Sequence, residues 1–348
     1  MSACRRRGEP TADGAADTLA AVRVLVVNHI IPDETTPYRG NFVRDQVKAL
    51  RGAGVDVEVF SFSPGSRNYP PATMAIRRLL RRERFDLVHA HYGLAGWCAS
   101  LAGAGPLVVT FHGTDVRHPV VGPLSRWLTR RVDLVAGASR ALFAPESGRP
   151  GLRRRPCASC VLPCGADLER FQPSSRAEAR RALGLDLEGR YLLFPAAPSR
   201  RVKRHDRAVE VARRADAELF AGGAIDSGRL ATWVNASNAV MVTSDNEGFG
   251  LVAVEALACD VPVLSTPVGI APTLLREIDG CLVEPFDAER WAGFARRHLD
   301  APDPRVRGRG RAGWFSAERM AERVLVAYRE LLGDPAADED AEQEWRSP

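Results

Sequence analysis

The sequence of 348 residues contains no long apolar run. A membrane-spanning helix needs about 20 mostly apolar residues, so we expect no transmembrane helix. The polar segment 1–20 has no apolar stretch that could act as a signal peptide, and we expect it to be a disordered leader. The seven cysteines are odd in number and scattered, which does not fit a disulfide framework. These absences favour a cytoplasmic protein with reduced thiols.

A complete zinc motif is also missing. Cys157, Cys160 and Cys164 lie close together in the sequence, but a structural zinc site needs four ligands and no second pair of cysteines follows. We therefore expect no metal at these residues.

The charge is mildly basic, at +5, and it is concentrated in one predicted helix. Aromatic residues are not interleaved with this cluster, which makes nucleic acid the least favoured partner. A basic helix can also face water, or contact an anionic membrane or a phosphorylated acceptor, and the cluster leaves these interpretations open. Its members are Arg77, Arg78, Arg81, Arg82 and Arg84.

Strands and helices alternate along the chain, which predicts an α/β fold with parallel sheets. The length suits two domains of roughly 150 residues each. We predict strands at 22–27, 55–61, 86–90, 107–111, 134–136, 160–162, 191–194, 217–220, 239–243, 261–265 and 281–283. We predict helices at 41–50, 72–84, 93–101, 124–130, from Ser139, and at 176–183, 204–214, 226–236, 250–258, 288–299 and 316–332. The predicted parts are a first domain 21–185, a second domain 186–315, a helix 316–333 that crosses back to the first domain, and an acidic tail 334–348.

One segment, from Glu247 to Glu255, combines two carboxylates with the start of a helix. Its residues Phe249, Gly250 and Leu251 offer free backbone N–H groups where a phosphate could bind. Glu255 is surrounded by small apolar residues, so its carboxylate needs a partner that offsets the loss of water. A ribose diol would supply two donors, although an exposed position or a salt bridge would also satisfy the carboxylate.

Histidines end two strands of the first half. His112 directly follows the strand at 107–111, a position suited to catalysis or ligand contact; a structural ring bonded to backbone is the alternative. Asp115 could orient His112 or cap the next helix. His89 and His91 lie on one face of their strand because side chains alternate. Two histidines at this spacing could bind a metal, but no third ligand is evident, which favours a structural role.

Cations follow the first strand of the second half. Lys203, with Arg200 and Arg201 nearby, lies in a loop expected at the same sheet edge as the two carboxylates. A fixed cation there would stabilise the charge that grows on a leaving diphosphate, in place of a metal; a solvated helix start is the alternative. Gly40 marks a phosphate-type loop without the complete GxGxxG pattern, and a plain turn fits it equally well.

Together these motifs resemble those of the family 4 glycosyltransferases, which are retaining enzymes of the GT-B fold. The Glu-x7-Glu element is made specific by the sequences that follow at 258–263 and 267–269. The matching pieces, in the family's order, are Gly40, 86–91, 110–115, 162–167 with Phe171, Lys203 and 247–255.

The resemblance implies two Rossmann-like domains that face each other across a cleft. Glu255 would bind the nucleotide ribose, Glu247 the hydroxyls of the donor sugar, and Lys203 the diphosphate. His112 would lie beside the transferred sugar and the acceptor, with Asp115 on the acceptor side. The expected catalytic residues are His112, Lys203 and Glu247. The expected donor-binding residues are Gly40, Arg200, Arg201, Lys203, Glu247, Gly248, Phe249, Gly250, Leu251 and Glu255. No metal and no cofactor are implied.

The sequence departs from the family pattern in two places. Pro198 stands where the family usually has an arginine five residues before the lysine. Either Arg200 or Arg201 must replace that arginine, or the diphosphate is held less firmly. The segment between the strand at 217–220 and Glu247 is also short, as if it lacked a helix and a strand, which leaves the base unassigned.

The expected function is a metal-independent retaining glycosyltransferase that moves a sugar from a nucleoside diphosphate donor to an acceptor hydroxyl. The subgroup resembles enzymes of teichuronic acid or exopolysaccharide synthesis, with a lipid-linked acceptor and peripheral contact at the inner membrane face as hypotheses. Three alternatives use a similar scaffold: a nucleotide-sugar epimerase, a phosphorylase and an inactive partner of an assembly complex.

Overall fold

The computed structural model describes residues 22–30, 40–145, 150–152, 158–223 and 225–334. The leader expected at 1–20, the acidic tail beyond Asp334 and Cys157 lie outside the described residues.

The first sheet has six parallel strands in the order β2-β1-β3-β4-β5-β6. Its four central strands are mostly apolar and buried on both faces, as expected for a parallel sheet covered by helices, whereas the two edge strands are partly exposed. In chain order they are β1 Arg23–Asn28, β2 Asp56–Ser61, β3 Leu87–His91, β4 Leu107–Phe111, β5 Leu134–Gly137 and β6 Ser159–Val161. The helices between them are α1 Asn41–Gly52, α2 Tyr69–Arg82, α3 Gly93–Ala102, α4 Thr114–Arg117 and α5 Val121–Leu128.

The second sheet has five parallel strands in the order β11-β10-β9-β7-β8. They are β7 Tyr191–Phe194, β8 Glu218–Ala221, β9 Ala239–Val242, β10 Val263–Ser265 and β11 Leu282–Val283. The helices that accompany the sheet are α6 Arg176–Leu183, α7 His205–Ala215, α8 Leu230–Ala236, α9 Leu251–Ala258, α10 Ala271–Leu274, α11 Ala288–Leu299 and α12 Arg309–Gly313. The final helix is α13 Ala317–Leu332.

Each sheet contains a point where the order of its strands reverses. In the first sheet β1 lies between β2 and β3, and in the second β7 lies between β8 and β9. Loops that leave neighbouring strands in opposite directions open a crevice at such a point, and ligands of α/β sheets bind there. The loops after β1, β3, β7 and β9 carry Gly40, Tyr92, Lys203 and Glu247, so the topology brings the expected site residues to these crevices.

The core of the molecule crosses from one domain to the other. On one face of the first sheet, α1 and α13 pack with Val24 and Val26. On the other face, α2, α3 and α5 pack with Leu25 and Val27, in a hydrophobic cluster that continues into α8 and α9 of the second domain. The two domains therefore share buried apolar contacts as well as a cleft.

Helix α13 packs against the first sheet. Met320 and Val324 lie in the same cluster as the strand residues, and the Tyr328 hydroxyl lies 2.6 Å from Nδ1 of His89 in β3. The C-terminal helix therefore lies within hydrogen-bonding distance of a strand that leads to the cleft.

The first domain ends earlier than the sequence predicted. We placed residues up to 185 in it, but α6 packs against α8 of the second domain. Arg180 of α6 is buried and donates to the carbonyl of Ala236 and to the side chain of Asn238. Because a buried guanidinium needs these acceptors, α6 belongs with the second domain.

Other differences are local. Helix α2 begins at Tyr69, ahead of the predicted start at 72, because prolines in the first turn lose no helical hydrogen bond. The segment from Ser139 forms a short 3-10 helix, Arg140–Phe143, and residues expected to be irregular form α12.

Candidate active site in the cleft

A cavity of about 600 Å³ lies between the domains. The first domain contributes residues at the start of α1 and after β3 and β4, among them Phe42, Tyr92 and His112. The second domain contributes residues after β7, β8 and β9. The cavity thus lies at the carboxyl ends of both sheets, where the topology predicts a ligand.

Lys203 and Glu247 form an ion pair in this cavity. The Nζ atom of Lys203 lies 2.5 Å from Oε1 and 2.6 Å from Oε2 of Glu247, and the Ser244 hydroxyl donates to Oε1 at 2.7 Å. Their side chains are 15% and 9% exposed. The resemblance assigned Lys203 to a diphosphate and Glu247 to a sugar; in the structure the two charges are paired with each other.

Backbone contacts hold the two charged loops together. The 3-10 helix Arg201–Lys203 ends at Arg204, which has a positive φ of 54°. The Thr243 hydroxyl donates to the carbonyls of Lys203 and Arg204, and the Asp245 N–H donates to Val202. The loop after β7 is therefore fixed against the loop after β9, which fixes the ion pair.

The two candidate replacements for the arginine missing at Pro198 differ in position. Arg200 is exposed and lines the cavity. Arg201 is also exposed, but it is not among the residues that line the cavity. The structure therefore favours Arg200 and does not bring Arg201 to the expected donor site.

Glu255 lines the cavity from the second turn of α9. Burial raises the pKa of its carboxyl to about 7; the nearby Arg170 lowers the pKa, and Asp45, from the opposite wall, raises it. The carboxyl therefore changes charge near neutral pH, and its ionised form, with an acceptor at each oxygen, binds two hydroxyl donors more strongly than the protonated form does.

We expect the affinity for a nucleoside diphosphate to fall as the pH drops below about 7, by up to about tenfold per pH unit, because Glu255 is then protonated. Calorimetric titration between about pH 5.5 and pH 8.5 measures this, with Glu255→Gln as the control for titration of the ligand itself. An equal pH dependence in both proteins would contradict the role of Glu255.

The same variant gives a stability control. A carboxyl with its folded pKa raised above the ordinary value contributes stability at low pH that is lost as the pH rises through about 7. Glu255→Gln should therefore raise the Tm at about pH 8 and change it little at about pH 4.5.

The glycine-containing loop after β9 brings the domains into contact. Gly250 precedes α9 with a φ of 93°, and residues 248–251 line the cavity. A Cβ added to Gly248 would lie 1.7 Å from the carbonyl oxygen of His112, and the Ser139 hydroxyl donates to the Gly248 carbonyl at 2.7 Å. The loop is therefore also a contact with the first domain, which the sequence did not predict.

His112 lines the cavity, as predicted, and belongs to a chain of buried polar side chains. Its Nε2 lies 3.0 Å from Nδ1 of His91, whose ring stacks on His89 at 4.5 Å. His89 in turn contacts Thr110 and Tyr328. Burial, together with His91 and His29, holds the pKa of His112 far below its ordinary value, so its ring is neutral at pH 7.

Asp115 is not among the residues that line the cavity. It is buried, and its carboxylate accepts the backbone N–H groups of Gly93, His112 and Gly113 at 2.9 to 3.1 Å. Burial raises its pKa to about 6 despite these bonds. Its carboxylate fixes the backbone of the loops after β3 and β4, and the acceptor contact predicted for it stays a prediction.

Gly40 precedes α1 with a φ of 74° and does not itself line the cavity, although Asn41 does. A Cβ at this position would lie 2.3 Å from the carbonyl oxygen of Ile30. The need for glycine is explained by this close approach within the first domain.

The cavity also contains three charged residues that the sequence did not predict, Asp45, Arg117 and Arg170. Burial raises the pKa of Asp45, with Arg170 acting in the opposite direction. Asp45 lies one turn along α1 from the first cavity-lining residue, so helical spacing was the signal that could have identified it.

Of the described residues in the cysteine and histidine clusters, Cys164, His89 and His91 are buried, and Cys160 is partly buried. Burial raises the pKa of Cys160 and Cys164 to about 12 and lowers that of His91 to about 3. Within the ranges described above, no three residues of histidine, cysteine or acidic type are grouped as metal ligands. None of the described helices is long and apolar enough to span a membrane.

Two family models match the chain. The model for glycosyltransferase family 4 matches residues 39–170, and the model for glycosyl transferases group 1 matches residues 197–300. The chain is 32% identical to the D-inositol 3-phosphate glycosyltransferase of Actinosynnema mirum, over 82% of this chain and 90% of that protein. The chain belongs to glycosyltransferase family 4.

A second relative supports the family, and two solved structures share the fold. The D-inositol 3-phosphate glycosyltransferase of Saccharomonospora viridis is 32% identical, over 78% of each chain. Sucrose-phosphate synthase from Thermosynechococcus elongatus superposes with a TM-score of 0.70 at 20% identity, over 90% of this chain and 100% of that one. Anabaena HepE, in complex with UDP and glucose, superposes with a TM-score of 0.63 at 16% identity, over 88% of this chain and 99% of that one. The fold is GT-B, and the family 4 protein is a glycosyltransferase.

Proposed function

We propose that this glycosyltransferase transfers a sugar from a nucleoside diphosphate donor to an acceptor hydroxyl, with retention of configuration and without a metal. The observation that carries the proposal is the Lys203–Glu247 ion pair at the start of α9, in the cleft. An ammonium and a carboxylate there match the diphosphate and the sugar hydroxyls of one donor. The UDP and glucose bound to HepE, which shares the fold, also support this donor class.

In the proposed reaction, the bond between the sugar and the diphosphate breaks while the acceptor hydroxyl attacks the same face of the sugar. Lys203 stabilises the negative charge that grows on the departing diphosphate oxygen. Glu247 orients the sugar through its hydroxyls, and the diphosphate takes the acceptor proton. The sequence motifs assign no residue as a nucleophile, which favours front-face transfer over a covalent intermediate.

His112 acts as a neutral hydrogen-bond donor in this proposal. Nε2 of His91 is buried without a partner among the described residues. A proton on this nitrogen would have no acceptor, which would destabilise the folded protein. The favoured arrangement has His91 donating from Nδ1 to Nε2 of His112, which leaves the His112 proton on Nδ1. That N–H is then available to an oxygen of the sugar or the acceptor.

We propose a lipid-linked acceptor, in cell-surface polysaccharide or glycoconjugate synthesis at the cytoplasmic membrane face. The curated relatives are named for a small phosphorylated acceptor, which would need a cation on the first-domain wall. Arg117 and Arg170 line the cavity. Arg117 donates to the carbonyls of Ala141 and Ala144, and Arg170 lies near the carboxyls of Asp45 and Glu255. This engagement favours an acceptor recognised by other means over a small phosphorylated one.

We expect one or a few nucleoside diphosphate sugars to raise the Tm, because a ligand that binds the folded state stabilises it by mass action. A thermal-shift screen of donors with uracil, guanine and adenine bases tests this, with free sugars as controls. Failure of every nucleotide to bind would favour the inactive-partner alternative.

The remaining alternatives have distinct products. Incubation with a donor and no acceptor should give slow hydrolysis to the sugar; an epimerised sugar or a requirement for inorganic phosphate would instead favour an epimerase or a phosphorylase. With an acceptor, NMR of the anomeric proton decides between retention and inversion.

A further inference from the structure

The outer surface of helices α2, α3 and α5, which we call the basic face, carries arginines that have no carboxylate partner among the described residues. Between residues 69 and 131 the chain has three acidic residues. Asp115 is buried, and Glu83 and Asp86 bind the side chain and the N–H of Arg23, respectively. None of the following arginines forms an ion pair with a described residue: Arg77, Arg78, Arg81, Arg82, Arg84, Arg130 and Arg131.

The same face exposes large apolar side chains. The side-by-side rings of Trp97 and Trp127 have centroids 5.1 Å apart, and Trp127 is 55% exposed. The other exposed apolar residues on this layer are Met74, Leu101, Val120 and Leu124, each between 39% and 67% exposed. Several exposed apolar side chains close together on a protein surface indicate an interaction site.

Contacts between the helices make this one continuous surface. Arg77 of α2 donates to the carbonyl of Leu101 at the end of α3 at 2.6 Å. Arg131, after α5, donates to the Ser100 hydroxyl and lies over the Trp97 ring. The basic arginines and the exposed tryptophan therefore flank the same helix, α3.

We propose that the basic face binds peripherally to an anionic lipid surface. Arginines would pair with lipid phosphates, and Trp127 with its apolar neighbours would enter the interfacial layer. The positive charge of the arginines on the basic face favours an anionic partner. The exposed apolar side chains favour lipid over nucleic acid. Helix α3 directly follows Tyr92, which lines the cavity, so binding would bring the acceptor wall of the cleft to the membrane. The proposal does not depend on the identity of the donor.

The test is sedimentation of the full chain with vesicles of phosphatidylcholine, alone or with about one-fifth phosphatidylglycerol, at about 50 mM and about 300 mM salt. We expect binding only to the anionic vesicles, weakened by salt. Each arginine near such a surface contributes about fivefold in affinity, so Arg81→Gln with Arg82→Gln should lower binding about 25-fold. Trp127→Ser should cause a smaller loss that persists at the higher salt.

The matched control neutralises two exposed arginines elsewhere, Arg181→Gln with Arg307→Gln, which have the same effect on net charge. It should bind vesicles like the parent protein. Equal loss in both double variants, equal binding to uncharged vesicles, or no binding at all would overturn the proposal. The proposal would also be overturned if the protein bound double-stranded DNA as strongly as anionic vesicles and Trp127→Ser changed neither affinity. That result would indicate a general site for polyanions. Thermal shift with nucleotides, measured on the same variants, separates these outcomes from failure of the donor assignment.

Discussion

Replacing Lys203 with Met is expected to lower kcat by about 100- to 1,000-fold, because the charge that develops on the diphosphate then loses its fixed counter-charge. The same change leaves Glu247 without its partner in a largely buried site. We expect the free energy of unfolding to fall by about 1–3 kcal/mol, less than for a fully buried pair because cavity water reaches the carboxylate. Kinetics with saturating donor and thermal unfolding measure the two effects.

The double variant Lys203→Met with Glu247→Gln separates stability from catalysis. With both charges removed no unpaired charge remains, so we expect stability close to that of the parent protein. Transfer should stay as low as in Lys203→Met alone and in Glu247→Gln alone. Recovery of transfer in the double variant would show that the ion pair is a structural support. Full activity in both single variants would contradict the assignment of the site.

Gly248→Ala is expected to lower transfer by about 100-fold or more, while binding of the nucleotide changes much less. The new Cβ would lie 1.7 Å from the carbonyl oxygen of His112, so the loop and the first domain must move apart. A displacement of about 1 Å between reacting groups can cost about 100-fold in rate. Glu255 and Lys203, both on the second domain, remain able to hold the nucleotide.

The control is Gly293→Ala, in the interior of α11, where an added Cβ has no neighbour within 4 Å. We expect normal transfer and a gain of about 0.5–1 kcal/mol in stability from the better helix former. Comparison of kcat with the nucleotide Kd decides the outcome: an equal loss of both in Gly248→Ala would mean a damaged donor site, and unchanged values would mean that the domains need not touch there.

Most of the elements could be predicted from the sequence because their signals are local. The strand at 107–111 and the helices at 176–183 and 288–299 have the predicted bounds, since apolar runs and helical periodicity are read within about ten residues. The boundary near 185 could not be read this way. Helix α6 is amphipathic, so its sequence shows that one face is buried. It does not show which of the two domains that face packs against.

The candidate site, too, could be predicted only in part. Sequence motifs identified His112, Lys203, Glu247 and Glu255, because residues after parallel strands gather at one sheet edge, and all four line the cavity. Asp115 shared that signal. Its carboxylate is instead occupied by backbone N–H groups, one of them from Gly93, 22 residues away. A hydrogen bond to a distant backbone has no signature in composition or spacing.

The sequence by itself determined the α/β alternation, the family motifs and the residues that end each strand, because strand burial and loop position follow from short-range patterns. Only the tertiary structure decided that Lys203 and Glu247 neutralise each other, that Gly248 touches His112, and that unpaired arginines and exposed tryptophan share one face. Each of these depends on distances between elements far apart in the chain, and such distances are set by how the sheets twist and pack.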